Sequence, residues 1–143
     1  MTAESTAPRS DISFGYTIVY VDDVDATLRF FTDAFGIERV FLTPEGDYGE
    51  LATGSTALAF ASTDLARANL DTAGGFAALT TDGPPPAVTI TLLADDVAAA
   101  VDAALAAGAH RYVDPIAKPW GQTVAYVLDP NGLLIELATP IEH

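Results

Sequence analysis

Tyr20-Val21-Asp22-Asp23-Val24 recurs 73 residues later as Leu93-Ala94-Asp95-Asp96-Val97. In both copies an apolar run ends in a pair of aspartates and passes into apolar residues at helical spacing. These are Val24, Leu28, Phe31 and Phe35 in the first copy and Val97, Val101 and Leu105 in the second. An aspartate just before such a stripe suits a helix N-cap and the positive end of the helix dipole. Gly36 and Gly108 then close the helices as C-terminal glycines do. Residues 13–21 and 88–94, rich in β-branched and aromatic side chains, read as the strands that precede the helices. Three short strands follow each helix, over residues 38–43, 47–52 and 56–61, and then over 111–114, 123–128 and 133–138. An offset of 77 aligns residues 56–60 with 133–137.

The order β-α-β-β-β therefore occurs twice, which argues for duplication of one unit. The reading is a single α+β domain over residues 13–139, with module one at 13–70 and module two at 88–139. The linker, residues 71–87, contains Gly74-Gly75 and Pro84-Pro85-Pro86 and closes a short helix over 63–70. Residues 1–12 read as a flexible tail. One βαβββ unit leaves its sheet half bare, so two units are expected to curl into a concave mixed sheet, a natural small-molecule site.

Composition narrows the function classes. Twenty Asp and Glu against six Lys and Arg give a formal charge of −14, and Lys118 is the sole lysine. Such a surface repels nucleic acid and anionic membranes and attracts cationic small molecules, while also serving plain solubility. The absence of cysteine removes disulfides, thiolate metal sites and cysteine nucleophiles, and fits a cytoplasmic protein. No apolar run reaches the roughly 20 residues of a membrane span, and Met1–Ser10 lacks the apolar core of a signal peptide. Gly54-Ser55-Thr56 lacks the spacing and lysine of a phosphate loop, and no nucleophile elbow occurs.

Lys118-Pro119-Trp120-Gly121-Gln122 stands shortly before Asp129-Pro130-Asn131-Gly132-Leu133-Leu134-Ile135-Glu136-Leu137. An Asp-Pro-x-Gly turn entering an Ile-Glu-Leu strand, with Pro-Trp-Gly upstream, resembles the vicinal oxygen chelate superfamily. That superfamily comprises glyoxalase I, extradiol dioxygenases, fosfomycin-resistance enzymes and bleomycin-resistance proteins, and the motif is most similar to the bleomycin-resistance type. The resemblance implies the glyoxalase/bleomycin resistance fold. It also implies four metal-ligand positions, which fall here on Tyr16, Ala59, Thr89 and Glu136. Ala59 offers no donor, and neutral hydroxyls bind metal far more weakly than imidazole or carboxylate. Glu136 alone keeps a ligand's identity, so neither a metal nor another cofactor is expected. The alternative is Mg²⁺ or Mn²⁺ held by Glu136 with Glu50 from a neighbouring strand. Of the histidines, His110 follows Gly108 at a helix end and His143 is the terminal residue; neither reads as a ligand.

Strand alternation puts Tyr16, Ile18 and Tyr20, Thr91 and Leu93, and Leu134, Glu136 and Ala138 on one phase, with Ala57, Ala59 and Ala61 beside them. The opposite phase, Val19, Val21, Leu58, Phe60, Leu92, Ile135 and Leu137, is expected to pack under the helices. The expected binding residues are thus Tyr16, Tyr20, Ala59, Thr89, Thr91, Trp120 and Glu136, around an apolar space whose one charge is Glu136. Trp120 offers either a stacking and cation–π face or a packing cap. Two functions follow. One is a metal-free binder that sequesters an aromatic, cationic small molecule such as an antibiotic. The other is a lyase, isomerase or dioxygenase relative that uses Glu136 as a catalytic base, with a non-standard metal or none. Bare strand edges and sheet faces call for a homodimer with ligand sites near its seam, and the linker would permit exchange of modules between copies.

Overall fold

Asp23 and Asp96 cap the two repeated helices in the same way. Each accepts a hydrogen bond on Oδ1 from the backbone N–H three residues on, Ala26 and Ala99, at 3.0 Å. The computed structural model describes residues 11–141. Most of the expected N-terminal tail, and His143, lie outside that range. Module one runs β1 (Tyr16–Val21), α1 (Val24–Phe35), β2 (Arg39–Leu42), β3 (Tyr48–Leu51), β4 (Ala57–Ser62) and the exit helix α2 (Thr63–Leu70). Module two runs β5 (Ile90–Leu93), α3 (Val97–Ala106), β6 (His110–Ala117), β7 (Thr123–Leu128) and β8 (Leu134–Ala138).

Each module builds its own four-stranded mixed sheet, in the orders β1-β4-β3-β2 and β5-β8-β7-β6. In both, the first and last strands of the module pair in parallel and the rest are antiparallel. Strand β6 runs three residues past the expected end at Asp114. Pro115 cannot donate to a ladder, but β6 is an edge strand with register shifts on both sides of Val113, so the missing N–H costs no pairing. Strand β5 starts at Ile90, leaving Val88 and Thr89 in the preceding coil.

α1 packs on β3 and β4, α3 packs on β7 and β6, and the two helices pack on each other. Close approach of α1 requires Gly49, where an added β-carbon would lie 2.7 Å from Leu28 Cδ1. Phe31 meets Phe60 with ring centroids 5.4 Å apart, and one continuous core joins both modules through Leu28, Phe31, Phe60, Val101, Ile135 and Leu137. The C-terminal end of α1 also shares a cavity with Leu92 and Leu137 on the inner face of sheet two. The helices therefore lie between the sheets, and the second face of each sheet turns outward.

Two features lock the modules in register. Asn131, in the β7–β8 turn, donates from Nδ2 to Thr27 Oγ1 on α1 at 3.0 Å. The segment between the modules is also seated: Phe76 packs edge-on against Tyr20 at 4.9 Å. Farther along, the Thr80 carbonyl lies against Gly132 where any β-carbon would collide. Gly132 has φ of 104°, so both space and backbone select glycine there.

Candidate functional site

The outward face of sheet one follows from register. Ile18 lies beside Ala59 and Ala59 beside Glu50; Tyr20 lies beside Ala61 and Ala61 beside Tyr48; Phe41 lies beside Glu50. Tyr16, beside Ala57, is 52% exposed. Three alanine methyls leave the floor of this face low, and Tyr48 crosses it to donate from its hydroxyl to Glu50 Oε2 at 2.7 Å. Burial, and then the bond to Glu50, push the Tyr48 phenol upward, so it stays a donor.

On sheet two, Thr91, Glu136 and Tyr126 lie side by side on β5, β8 and β7. Thr91 Oγ1 donates to Glu136 Oε1 at 2.7 Å, and the Tyr126 hydroxyl donates to Oε2 at 2.8 Å. The bond to Glu136 comes first, and burial second, in raising the Tyr126 phenol. Both carboxylate oxygens are thus oriented, yet each keeps a lone pair for an incoming N–H or cation. Around this carboxylate the face is apolar, with Leu93 64% exposed and Leu134, Ala138 and Ile116 nearby in register.

Trp120 sits in the β6–β7 turn, at the rim. Its ring is 65% exposed, but its one polar atom is tied down. Nε1–H donates to Gln122 Oε1 at 2.7 Å, and Gln122 Nε2 donates to the Thr139 carbonyl at 2.7 Å. Lys118 Nζ lies 6.0 Å from the ring centroid. Thr89 is exposed in the coil ahead of β5, two residues before Thr91.

The predicted residues thus form two groups on two sheets. Tyr16, Tyr20 and Ala59 share one outward face, and Thr91 and Glu136 share the other. A cavity of about 390 Å³ at the β1 edge contains Tyr20, Phe76, Leu79, Val88 and Leu133. Sequence reasoning named Glu50 but missed the two tyrosines, Tyr48 and Tyr126, whose hydroxyls hold Glu50 and Glu136. The signal for Tyr126 was present, since counting the register back from the Asp129–Gly132 turn places it opposite Glu136. The carried-over metal positions do not fit an ion: Ala59 has no donor, Tyr16 and Thr89 offer only hydroxyls, and among the described residues of one chain no three His, Cys, Asp or Glu side chains converge.

Paired βαβββ modules, each with an apolar outward face and one carboxylate held by a tyrosine hydroxyl, define a glyoxalase-like fold. The chain belongs to the Glyoxalase/Bleomycin resistance protein/Dioxygenase superfamily, whose profile matches residues 13–137. Solved structures agree. A superfamily enzyme from Burkholderia phytofirmans PsJN is 19% identical, with 90% of this chain and 98% of that one covered and a TM-score of 0.72. A glyoxalase-related enzyme from Fulvimarina pelagi is 21% identical, covering 90% and 88% at a TM-score of 0.72. Lactoylglutathione lyase from Agrobacterium tumefaciens is 26% identical, covering 92% and 95% at 0.63. No curated protein matches the chain. Among the described residues no helix is long and apolar enough to cross a membrane.

Proposed function

We propose that this chain is a metal-independent small-molecule binder that works in the cytoplasm as a homodimer and sequesters planar aromatic cations of the bleomycin kind. The observation that carries the reading is Glu136. It is a carboxylate with both oxygens oriented by Thr91 and Tyr126 on an otherwise apolar outward face, at the one metal position that retains a ligand. A cationic ligand would find a matched charge there, and aromatic edges or faces at Tyr126, Tyr16 and Trp120. A ligand face open to solvent on one side needs a cover, and the helices prevent the two sheets of one chain from facing each other. Each face spans about 19 Å by 17 Å, so two per copy offer roughly 650 Å² in projection, near the ~800 Å² per partner of a standard interface. Sheet one of one copy against sheet two of the other closes two equivalent cavities.

Calorimetry with a cationic aromatic antibiotic and an anionic thioether conjugate tests the reading. The cation should bind more tightly, Glu136→Gln should reduce that preference, and Trp120→Ala should cost about 1–2 kcal/mol if the indole stacks on the ligand. Tighter binding of the anion overturns it. The similarity to lactoylglutathione lyase favours a second reading, in which Glu136 is a general base for enolisation or isomerisation. Turnover of lactoylglutathione in either direction, abolished by Glu136→Gln, would put that reading first.

A further inference from the structure

Module one carries a carboxylate that the family pattern does not provide. Ala59 is the counterpart of Glu136 in the internal repeat, one offset of 77 earlier. Directly across from Ala59, on β3, stands Glu50; directly across from Glu136, on β7, stands Tyr126. The carboxylate of module one has therefore moved one strand sideways, into the space above a methyl side chain. It is held there as Glu136 is held, by a tyrosine hydroxyl, at 2.7 Å in one module and 2.8 Å in the other. A glutamate kept only for solubility extends into water. Glu50 instead points along an apolar face, between Phe41, Ala59 and Tyr48.

No basic residue in the described structure answers either glutamate. Arg29 and Arg39 pair with Asp25, Arg67 lies near Asp64 and over the Phe76 ring, Arg111 pairs with Asp114, and Lys118 sits over Trp120. A counter-charge for Glu50 has to arrive from outside the described chain. Glu50 and Glu136 also cannot serve one ligand within a single copy, because they lie on outward faces with the helix layer between them.

We infer that Glu50, held by Tyr48, is a second ligand anchor, and that each cavity combines Glu50 of one copy with Glu136 of the other. The class of ligand this fits is a flat aromatic cation that carries a second positive group on a short flexible arm. The inference rests on the homodimeric, cation-binding reading above and adds to it the second charge, the residue that meets it and the copy that supplies it.

Ethidium and propidium test it, because they share one planar phenanthridinium ring and carry one and two positive charges. Dye fluorescence should show propidium bound about tenfold more tightly than ethidium, the scale of one added charge-assisted contact. Glu50→Gln should bring propidium down to the level of ethidium and move ethidium less than about twofold, whereas Glu136→Gln should weaken both. Unchanged circular dichroism shows that each variant folds. If Glu136→Gln weakens both dyes but Glu50→Gln leaves their ratio intact, the second anchor is wrong and the proposed function stands. If neither substitution matters, or neither dye binds, the proposed function fails with it. The sharing between copies has its own readout. Two differently tagged chains, one carrying Glu50→Gln and the other Glu136→Gln, are co-expressed and the mixed dimer is isolated. One intact cavity per dimer should restore half the wild-type propidium capacity at wild-type affinity. No restoration would show that both anchors act within one chain.

Discussion

Replacing Asp129 by alanine should cost about 3 kcal/mol or more of folding stability, because it removes the acceptor at the centre of the turn that joins β7 to β8. The side chain is 0% exposed. It accepts from Leu133 N at 2.8 Å, Asn131 N at 2.9 Å and Asn131 Nδ2 at 2.9 Å. Alanine leaves these donors short of a partner, and a buried unmade donor costs about 1–3 kcal/mol. Asn131 Nδ2 keeps Thr27 Oγ1, which holds the total near the lower bound. Asparagine at 129 keeps an oxygen for the two backbone donors but sets its own NH₂ against that of Asn131, so about 1 kcal/mol should be lost. Burial is the largest influence on this carboxyl and raises it above 3.8; the bonds from Leu133 and Asn131 draw it partly back. A raised acid binds protons more readily folded than unfolded. Its contribution is therefore largest below pH 3.8 and is lost as pH rises through the folded value. Urea melts by far-UV circular dichroism at fixed protein concentration give the measurement, since Trp120 is too exposed to report core unfolding. A loss below about 1 kcal/mol for Asp129→Ala would mean that water or backbone replaces the carboxylate, and the reasoning fails.

Protein purified without chelator should carry well under one Zn²⁺, Ni²⁺, Fe²⁺ or Mn²⁺ per chain by elemental analysis; about one tightly held ion, lost in Glu136→Gln, would contradict the ligand argument. Light scattering at micromolar concentration should give a dimer, and a charge placed on an outward face, as in Leu93→Lys, should yield monomers that remain folded. Gly49→Ala should cost about 1–3 kcal/mol by thermal melt, because the new methyl meets Leu28 Cδ1 at 2.7 Å and Phe41 O at 3.1 Å, so the fully buried Leu28 has to repack.

Much of the fold could be read locally. The aspartate caps, the glycine stops and the period-two strands each need only neighbours in sequence, so α2 begins and ends where the sequence places it. What escaped were pairings set by distant contacts. The strand read over 111–114 continues through Pro115 to Ala117, because a proline is tolerated where β6 is an edge, a property of the whole sheet. The proline- and glycine-rich segment 71–87 carries few local structural signals, yet Phe76 finds Tyr20, and Thr80 fits against Gly132, only once both modules have folded. At the site, alternation assigned Glu136 and Thr91 to one face. Alternation cannot tell which faces share a cavity, because that depends on where the helices go. The packing of α1 against α3 turns the two groups of predicted residues away from each other.

That packing changes what the acidic composition can do. Surface aspartates spread over the molecule attract a cation from a distance but are screened within about 10 Å at ordinary salt. Glu50 and Glu136 sit on apolar faces, and in the proposed dimer a second copy closed over them would lower the local dielectric and strengthen each charge–charge contact. Long-range attraction and local anchoring then respond differently to salt: added salt should slow capture while leaving the residence time of the bound ligand nearly unchanged. Trp120 fits the same division. Lys118 already lies near one side of its ring, and the indole is pinned at the rim by Gln122 rather than beside Glu136. In the proposed binder its contribution would be a stacking surface at the entrance, met by a flat ring before it reaches the carboxylates. A ligand with charge but no ring should therefore lose affinity on Glu136→Gln and be indifferent to Trp120→Ala, while a flat cation should respond to both.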